Sequence, residues 1–283
     1  MDGDNDDHYP SRIVCLTDET TETLYLLEQD WRIVGISGFT KRPARARREK
    51  AVVTSFTMAR VDDLLALEPD LVLGFSDIQA EIARQLIAAG IEVHVFNHRT
   101  VAGILRMVRT VGAMVGCPQR ADDLANRLAD GLDAVRRQSE GLPRPRVYFE
   151  EWDDPIITSI GWVAELVDTA GGEDLFAEQS RQPLAKDRVV ADASAIVRAD
   201  PDLIIASWCG KRFDRERLES RPGWSALRAV QHGDVYAVDS SILLQPGPAA
   251  LTDGVRELRR VIAAWQARST DRGPAAKPAA ATP

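Results

Sequence analysis

The sequence predicts an α/β protein of two Rossmann-like lobes, each with a mainly parallel sheet, joined by a single long helix. Short apolar segments typical of strands alternate with segments of helical periodicity, which is the pattern of βα units. The second half of the chain repeats strand segments of the first half in the same order. One amphipathic segment, with a proline at each end, lies between the two halves.

The first lobe is predicted over residues 12–117. Its strand and helix candidates follow one another in the order RIVCL, TETLYLLEQ, RIVGIS, VDDLLAL, DLVLGF, QAEIARQLIAAG and EVHVF. Pro69 stands just before DLVLGF, at a helix end, where a residue without an N–H does least damage. These segments predict a sheet whose strands are connected by helices.

The connecting helix is predicted over residues 118–143 and the second lobe over residues 144–267. Apolar residues recur in the connecting segment at helical spacing, namely Leu124, Leu128, Leu132 and Val135. In the second lobe RVYFE resembles RIVCL, RADPDLIIA resembles ALEPDLVLG, and GDVYAV resembles GIEVHV. Residues 1–11 and 268–283 are polar or rich in Pro and Ala, so we expect disordered tails there.

Composition excludes several classes of function. The 283 residues are 45% hydrophobic and carry a formal charge of −8. This acidic balance argues against nucleic acid as a partner, because neutralising phosphates requires a basic face. The longest apolar runs are far shorter than the roughly 20 residues of a membrane helix, so no transmembrane segment is expected.

One local stretch, Lys41–Lys50 (KRPARARREK), is strongly basic. We interpret it as a solvated loop and helix start, with a docking surface for an anion, a phosphate or an acidic protein as the alternative. The cysteines, Cys15, Cys117 and Cys209, are widely spaced in apolar surroundings. This pattern favours reduced core thiols over a disulfide framework or a zinc site.

The N-terminal sequence MDGDNDDHYP is acidic and has neither the basic stretch nor the apolar region of a secretory signal. As written, it predicts a cytoplasmic protein. A missing upstream signal would instead make the protein periplasmic or exposed at the cell surface.

The segments that follow the strand candidates are the candidate ligand site, because α/β lobes bind ligands at the carboxyl ends of their strands. These segments are TDETTE, GFTKR, FSDIQAE, EEWDDPIITSIGW, SWCGKRF and DSSILLQPGP. Each aromatic residue taken alone is equally well explained as part of the core. Several such loops converging predict an apolar cleft with a few polar groups, the usual form of a small-molecule site.

Catalysis is not predicted. The adjacent carboxylates Asp153 and Asp154 would point to opposite faces of an extended segment, which makes them poor partners for acid and base work. The sequence contains no HExxH, GxSxG or Walker motif, and no GxGxxG after a strand.

Several motifs resemble the cobalamin-binding group of ABC-transporter substrate-binding proteins, which are periplasmic binding proteins of the helical-backbone class. They are the repeated PDLV and PDLI strands, EWxDP…W…E…AGGED (Glu151–Asp174), RPGW (Arg221–Trp224), G.VYAVD and PGP (Pro246–Pro248). The resemblance covers about Arg12–Trp265. It implies the class III periplasmic-binding-protein fold and a monomer that holds cobalamin or a related corrinoid in the cleft between the lobes, with no catalytic cofactor. It also implies an ABC permease partner docking through Glu81, whose plainer interpretation is an exposed helix charge.

The strand-end positions and the resemblance together predict the ligand contacts. Trp152 and Trp162 would offer flat contact area, and Asp153 or Asp154 would orient ligand amides. The same lobe's wall would be completed by Trp208, Cys209, Ile242 and Leu243. The facing wall would consist of Thr21, Phe39, Phe75 and Ser76.

Two segments depart from the family pattern. The family usually has GHWVPEM where this chain has IGWVAEL, and YFNRPGPR where this chain has ILLQPGPA. A histidine, a proline, an asparagine, an aromatic pair and two arginines are thereby replaced. The alternatives are therefore a binder of haem or of an iron-siderophore, or a cytosolic carrier or regulatory protein built on the same fold.

Overall fold

The computed structural model describes residues 8–54 and 61–272. Most of the predicted N-terminal tail and residues 273–283 of the predicted C-terminal tail lie outside the described residues. The chain forms two compact units. Of the described residues, the first unit contains those up to Asp133 together with Asp239–Gly254, and the second contains Ala134–Val238 together with those from Val255 onward.

The first unit is built on a five-stranded parallel sheet of order β3-β2-β1-β4-β5. Its strands are β1 (Ile13–Cys15), β2 (Ile33–Ser37), β3 (Ala51–Thr54), β4 (Leu71–Phe75) and β5 (Glu92–Phe96). Strands β1 and β4 are buried along their whole length, as expected for the centre of a parallel sheet covered on both faces. The carboxyl ends of all five strands therefore lie at one edge of the sheet.

Helices connect these strands. They are α1 (Asp18–Leu26), α2 (Ala46–Glu49), α3 (Val61–Leu65), α4 (Ala80–Ala88) and α5 (Val101–Met114). Side chains from sheet and helices share one apolar core that includes Val14, Val72 and Leu86. Helix α5 begins after Thr100, whose hydroxyl accepts a hydrogen bond from the Gly103 N–H at 3.0 Å.

The long helix α6 (Pro118–Ser139) begins at the predicted residue and ends before the predicted limit of 143. Gly141 has a φ of 72°, the left-handed conformation that commonly follows a helix end. The four residues predicted at helical spacing are all buried. The division between the two units falls inside this helix, so it carries the chain from one to the other.

The second unit has a mainly parallel sheet of order β10-β9-β6-β7, with β8 paired to β6. Its strands are β6 (Arg146–Asp153), β7 (Ile156–Thr158), β8 (Glu173–Asp174), β9 (Leu203–Ala206) and β10 (Val235–Ala237). Strand β7 is antiparallel to β6. The motif EEWDDPIITSIGW thus forms, as far as Thr158, a hairpin that turns at Asp154 and Pro155. The alternation of strands and helices did not predict this hairpin.

Short helices complete this unit. They are α7 (Gly161–Thr169), α8 (Ala177–Ser180), α9 (Ser194–Ala199), α10 (Arg215–Glu219) and α11 (Arg228–Gln231). The core is aromatic as well as aliphatic: Tyr148 and Trp224 meet edge to face with ring centroids 5.6 Å apart, and Trp208 belongs to the same cluster.

The segment Asp239–Gly254, which we call the clasp, follows β10 but belongs to the first unit. It contains α12 (Ser240–Leu243) and a π-helical turn at Ala250–Gly254. We predicted it within a second lobe of residues 144–267, whereas its polar groups pair with residues of the first unit. Helix α13 (Val255–Arg272) then returns to the second unit and continues into the segment for which we predicted a disordered tail.

Candidate functional site

The turn after β1 is tightly bonded. Thr21, a predicted ligand contact, is fully buried, and its hydroxyl donates to the Thr17 carbonyl oxygen at 3.1 Å. Thr21 therefore stabilises the start of α1 and does not offer its hydroxyl at the surface. Among the predicted contacts of this unit, Phe39 is the one that is well exposed, with 51% of its surface accessible. It lies beyond the end of β2.

Phe75 and Ser76 lie at the end of β4 and are both buried. The Phe75 ring meets the His98 ring edge to face at 5.2 Å, and the Arg99 guanidinium lies 4.8 Å from the Phe75 ring centroid. Ser76 has a φ of 64°, which is uncommon for a residue other than glycine. Its hydroxyl accepts from the Ile78 N–H at 3.4 Å, so Ser76 shapes the turn into α4.

The clasp lies beside these strand ends of the first unit. His98 donates from Nε2 to the Pro246 carbonyl oxygen at 2.9 Å, and the Ala249 N–H donates to Glu22 Oε2 at 2.9 Å. The clasp carries Ile242, which is half-buried, and Leu243, which is buried. We predicted both residues in the wall of the second lobe, and the structure assigns both to the first unit.

A buried ionic network lies at the end of β6 in the second unit. Glu150 is fully buried and accepts hydrogen bonds from Tyr148 Oη at 2.7 Å and Trp208 Nε1 at 2.9 Å. Arg221 donates to both Glu150 oxygens, at 2.5 and 3.0 Å. Burial alone would lower the pKa of Arg221, but the hydrogen bonds to Glu150 and the charge of that carboxylate outweigh burial and raise the pKa above its usual value. Burial and the neighbouring Glu150 carboxylate also raise the pKa of Tyr148.

Asp153 is engaged by basic side chains. Lys211 Nζ lies 2.6 and 2.7 Å from its two oxygens, and Arg217 Nε lies 2.9 Å from one of them. Burial alone would raise the pKa of Asp153, but the Lys211 hydrogen bonds and both positive charges hold it below its usual range. These ion pairs occupy the oxygens that we predicted would orient ligand amides. Asp154 is exposed, and its backbone oxygen accepts from Trp152 Nε1 at 2.8 Å.

Lys211 also organises two aromatic rings. Its Nζ lies 5.1 Å from the Trp152 ring centroid and 5.0 Å from that of Trp208, within cation–π range. The Trp152 side chain is half-buried, so part of it meets solvent. Sequence reasoning missed Lys211, although its place after β9 in SWCGKRF was a usable signal.

The remaining predicted aromatic contacts lie deeper. Trp162, in α7, and Trp208, after β9, are both buried, so the alternative of core tryptophans fits them. Cys209 is exposed, contrary to the expectation that all three cysteines are core thiols. Cys15 does fit that expectation, because it is fully buried, and this burial raises the pKa of its thiol to about 12.

The basic stretch Lys41–Lys50 is partly used within the first unit. Arg42 pairs with Glu22 and Asp253, both at 2.8 Å. Arg47 donates to the Gly38 carbonyl oxygen at 2.7 Å. These contacts favour the interpretation of a loop and helix start over that of an open docking surface.

Across residues 8–54 and 61–272, no group of three or more His, Cys, Asp or Glu side chains is arranged to hold a metal ion. Within the same described part of the chain, no helix has the length and apolar character needed to cross a membrane.

Comparisons with known proteins agree with this architecture. A family model described as periplasmic binding protein matches residues 13–242. The chain is 27% identical over 263 residues to an uncharacterized ABC transporter substrate-binding lipoprotein of Bacillus subtilis, covering 89% of this chain and 80% of that protein. It is also 27% identical over 254 residues to a cobalamin-binding protein of Halobacterium salinarum, covering 86% of this chain and 67% of that protein.

Solved structures show the same fold. The periplasmic vitamin B12 binding protein of Vibrio cholerae has a TM-score of 0.71 at 22% identity, covering 91% of this chain and 98% of that one. The periplasmic haem-binding protein of Roseiflexus sp. RS-1 has a TM-score of 0.73 at 22% identity, covering 89% and 99%. The predicted class III periplasmic-binding-protein fold is thereby confirmed.

These matches correct one prediction and support two others. The cytoplasmic localisation predicted from the N-terminal sequence is wrong, because the matching family is periplasmic and the Bacillus subtilis relative is a lipoprotein. The family binds solutes without transforming them, which supports the prediction that the chain is not an enzyme. The family match over residues 13–242 also confirms the predicted resemblance, and the chain belongs to the periplasmic binding protein family.

Proposed function

We propose that the chain is the substrate-binding component of an ABC importer and that its ligand is cobalamin or a related corrinoid. The importer role is supported by the substrate-binding lipoprotein of Bacillus subtilis, and the ligand by the cobalamin-binding relative of Halobacterium salinarum, each matched over most of this chain. The ligand is bound and released unchanged.

One structural observation carries the ligand class: the partly exposed indole ring of Trp152. Its N–H is used by the Asp154 carbonyl oxygen and Lys211 lies over its ring, so the side chain is held in one orientation. A rigid indole with accessible ring surface suits a flat, bulky ligand, because aromatic contacts supply large area at low cost in conformational entropy. Phe39, exposed in the first unit, is a second candidate of the same kind.

The test is a titration of the purified protein with cyanocobalamin and, separately, with haemin and ferric siderophores. Tryptophan fluorescence and thermal shift report binding, since a ligand at a hundred times its Kd stabilises the folded state by about 2.7 kcal/mol. Binding of cyanocobalamin supports the proposal. A response to haemin or a siderophore alone would mean that the ligand is that chelate and not a corrinoid. No response to any of them would overturn the proposed ligand class.

A pair of tryptophan variants tests the role of Trp152. Trp152→Ala should weaken the affinity for the bound chelate about fivefold to a hundredfold, because an aromatic contact of this kind contributes about 1–3 kcal/mol. Trp31→Ala is the matched control, since Trp31 is also exposed (51%) but precedes the amino end of β2, whereas the predicted contacts follow strand ends. Equal affinities for the two variants would remove Trp152 from the site.

We also propose that Glu81 docks onto the permease. Glu81 is exposed in the first turn of α4, where it pairs with Arg84 at 2.7 Å and accepts from Gln85 Nε2 at 2.8 Å. The hydrogen bonds from Arg84 and Gln85 lower its pKa to about 2. The exposed carboxylate could exchange its pairing with Arg84 for an arginine of the permease.

A further inference from the structure

Three carboxylates on the first two turns of α1 are buried, namely Asp18, Glu19 and Glu22. The clasp contacts two of them, Glu19 and Glu22. Glu19 is 1% exposed, and Gly247 of the clasp lies directly against it: a Cβ added to Gly247 would be 2.4 Å from the Glu19 Cβ. Docking of the clasp therefore completes the burial of Glu19.

The three carboxylates are compensated unequally. Asp18 accepts from the backbone N–H groups of Lys41 and Arg42, at distances of 3.1 to 3.3 Å. Glu22 accepts from Arg42 Nε at 2.8 Å and from the Ala249 N–H. Glu19 Oε1 accepts from the Thr17 hydroxyl at 2.6 Å, but its Oε2 is buried and has no hydrogen-bond partner among the described residues.

The charged groups around Glu19 do not neutralise it. The cations of the loop after β2 pair with other carboxylates. Arg42 pairs with Glu22 and Asp253, and Lys41 pairs with Asp239 at 3.5 Å. Further along the neighbouring elements, Lys50 acts electrostatically on Cys15, and Arg99 and Arg106 act on His98. Two other titratable groups there are His98, whose pKa is lowered to about 4 by burial, and the Cys15 thiol, whose pKa is raised to about 12 by burial. Both are neutral near pH 7.

A proton on Glu19 fits the hydrogen bonds of this site. The protonated Oε1 would donate to Thr17 Oγ1, and the Thr17 hydroxyl would turn toward Thr20 Oγ1, which lies 3.4 Å away. The buried Oε2 would then be the carbonyl oxygen of a neutral acid. Leaving a neutral oxygen without a partner costs far less than leaving a carboxylate without one.

We propose that proton uptake by Glu19 fastens the clasp onto the first unit, so that acid favours the docked clasp and alkali loosens it. Burial raises the pKa of Glu19 to about 7 and that of Asp18 to about 6. When the clasp lifts, water reaches Glu19 and its pKa falls toward the usual value of about 4.5. The stabilisation is therefore complete below about pH 4.5 and is lost as the pH rises through 7.

Hydrogen exchange of the clasp peptide, residues 239–254, measures the opening directly. After correction for the intrinsic exchange rate, the ratio of the opening equilibrium of the wild type to that of Glu19→Gln should rise between pH 5 and pH 8 by roughly tenfold to a hundredfold, the range that this pKa difference allows. The ratio is used because His98, which donates to the clasp and whose pKa is lowered by burial, contributes the opposite pH dependence in both proteins. The strand peptide Leu203–Ala206 of the second unit is the internal reference. A ratio that is independent of pH, or that is higher in acid, overturns the proposal.

Glu19→Gln assigns the effect to one side chain. The neutral amide cannot take up the proton, so the variant should lack the loosening in alkali that Glu19 contributes, and only the pH dependence of other groups, His98 among them, should remain. Glu140→Gln, the same substitution at an exposed position, should behave as the wild type. A Glu19→Gln clasp with the full wild-type pH dependence would refute the role of Glu19.

A direct titration keeps the test decisive if the variant does not fold. Carbon-13 NMR of the Glu19 side-chain carboxyl in the wild type should show a midpoint near pH 7. A midpoint near pH 4.5 would overturn the proposal.

Discussion

Replacing Arg221 by glutamine should strongly destabilise the second unit. Arg221 supplies two hydrogen bonds and the counter-charge to the fully buried Glu150, and it donates to the Asp153 carbonyl oxygen at 3.2 Å. Its guanidinium also lies 4.6 Å from the Trp224 ring centroid. Removing one partner of a buried ion pair costs about 3–5 kcal/mol, because the remaining charge stays buried without compensation. Tyr148 and Trp208 still donate to Glu150, so we expect about 3 kcal/mol.

Urea unfolding followed by tryptophan fluorescence measures this loss. With a slope of about 2–3 kcal/mol per molar urea, the unfolding midpoint should fall by about 1 M or more. Arg212→Gln, at an exposed arginine of the same unit, is the matched control and should change the midpoint little.

A double variant separates the ion pair from other effects of Arg221. Combining Arg221→Gln with Glu150→Gln removes the buried charge as well as its partner, so it should cost at least 1 kcal/mol less than the sum of the single variants. A loss below 1 kcal/mol for Arg221→Gln, or strictly additive costs, would refute the account of Glu150 as a charge that depends on Arg221.

Three further predictions test other parts of the molecule. Gly247→Ala should lower the free energy of unfolding by more than 1 kcal/mol, because its methyl group would lie 2.4 Å from a neighbouring side-chain carbon. Gly131→Ala, in open space on α6, should raise it by about 0.5–1 kcal/mol; thermal unfolding compares the two, and effects of the same sign would contradict the packing argument. Lys211→Met should make the protein less stable at pH 7 but flatten its loss of stability in acid. Burial alone would raise the pKa of Asp153, but Lys211 helps to lower it, giving stability that is present above about pH 3.8 and lost below. Parallel acid-unfolding curves for wild type and variant would contradict this. Glu81→Gln should leave ligand affinity and Tm unchanged and reduce uptake in cells that carry the cognate permease, and undiminished uptake would remove Glu81 from the docking surface.

The fold was predictable because strands of parallel sheets are buried on both faces and therefore leave continuous apolar runs in the sequence. The predicted segment LVLGF forms β4 and the predicted segment LIIA forms β9, and both strands are fully buried. The connecting helix was equally clear, since its apolar residues recur at helical spacing and prolines bound it. Its end was misplaced by a few residues, because a glycine with positive φ was not recognised as the stop signal.

The location of the clasp was not predictable from order along the chain. The clasp lies between β10 and α13, both in the second unit, so neighbourhood in sequence assigns Ile242 and Leu243 to that unit. Its hydrogen-bond partners in the first unit, Glu22 and His98, are 227 and 148 residues away from Ala249 and Pro246. Local patterns carry no information about pairs at such separations.

The acidic and aromatic residues after RVYF have separate tasks in the second unit. Three of the four carboxylates pair with cations of the same unit: Glu150 with Arg221, Glu151 with Arg188 at 2.5 Å, and Asp153 with Lys211. Because these charges are already paired, they fix the hairpin and the loops around it and leave little net charge for a ligand. The partly exposed indole of Trp152 is then the feature of the motif best suited to ligand contact. Recognition at this surface should therefore depend on shape and apolar area more than on ionic attraction, which favours a large, flat chelate over a small anion.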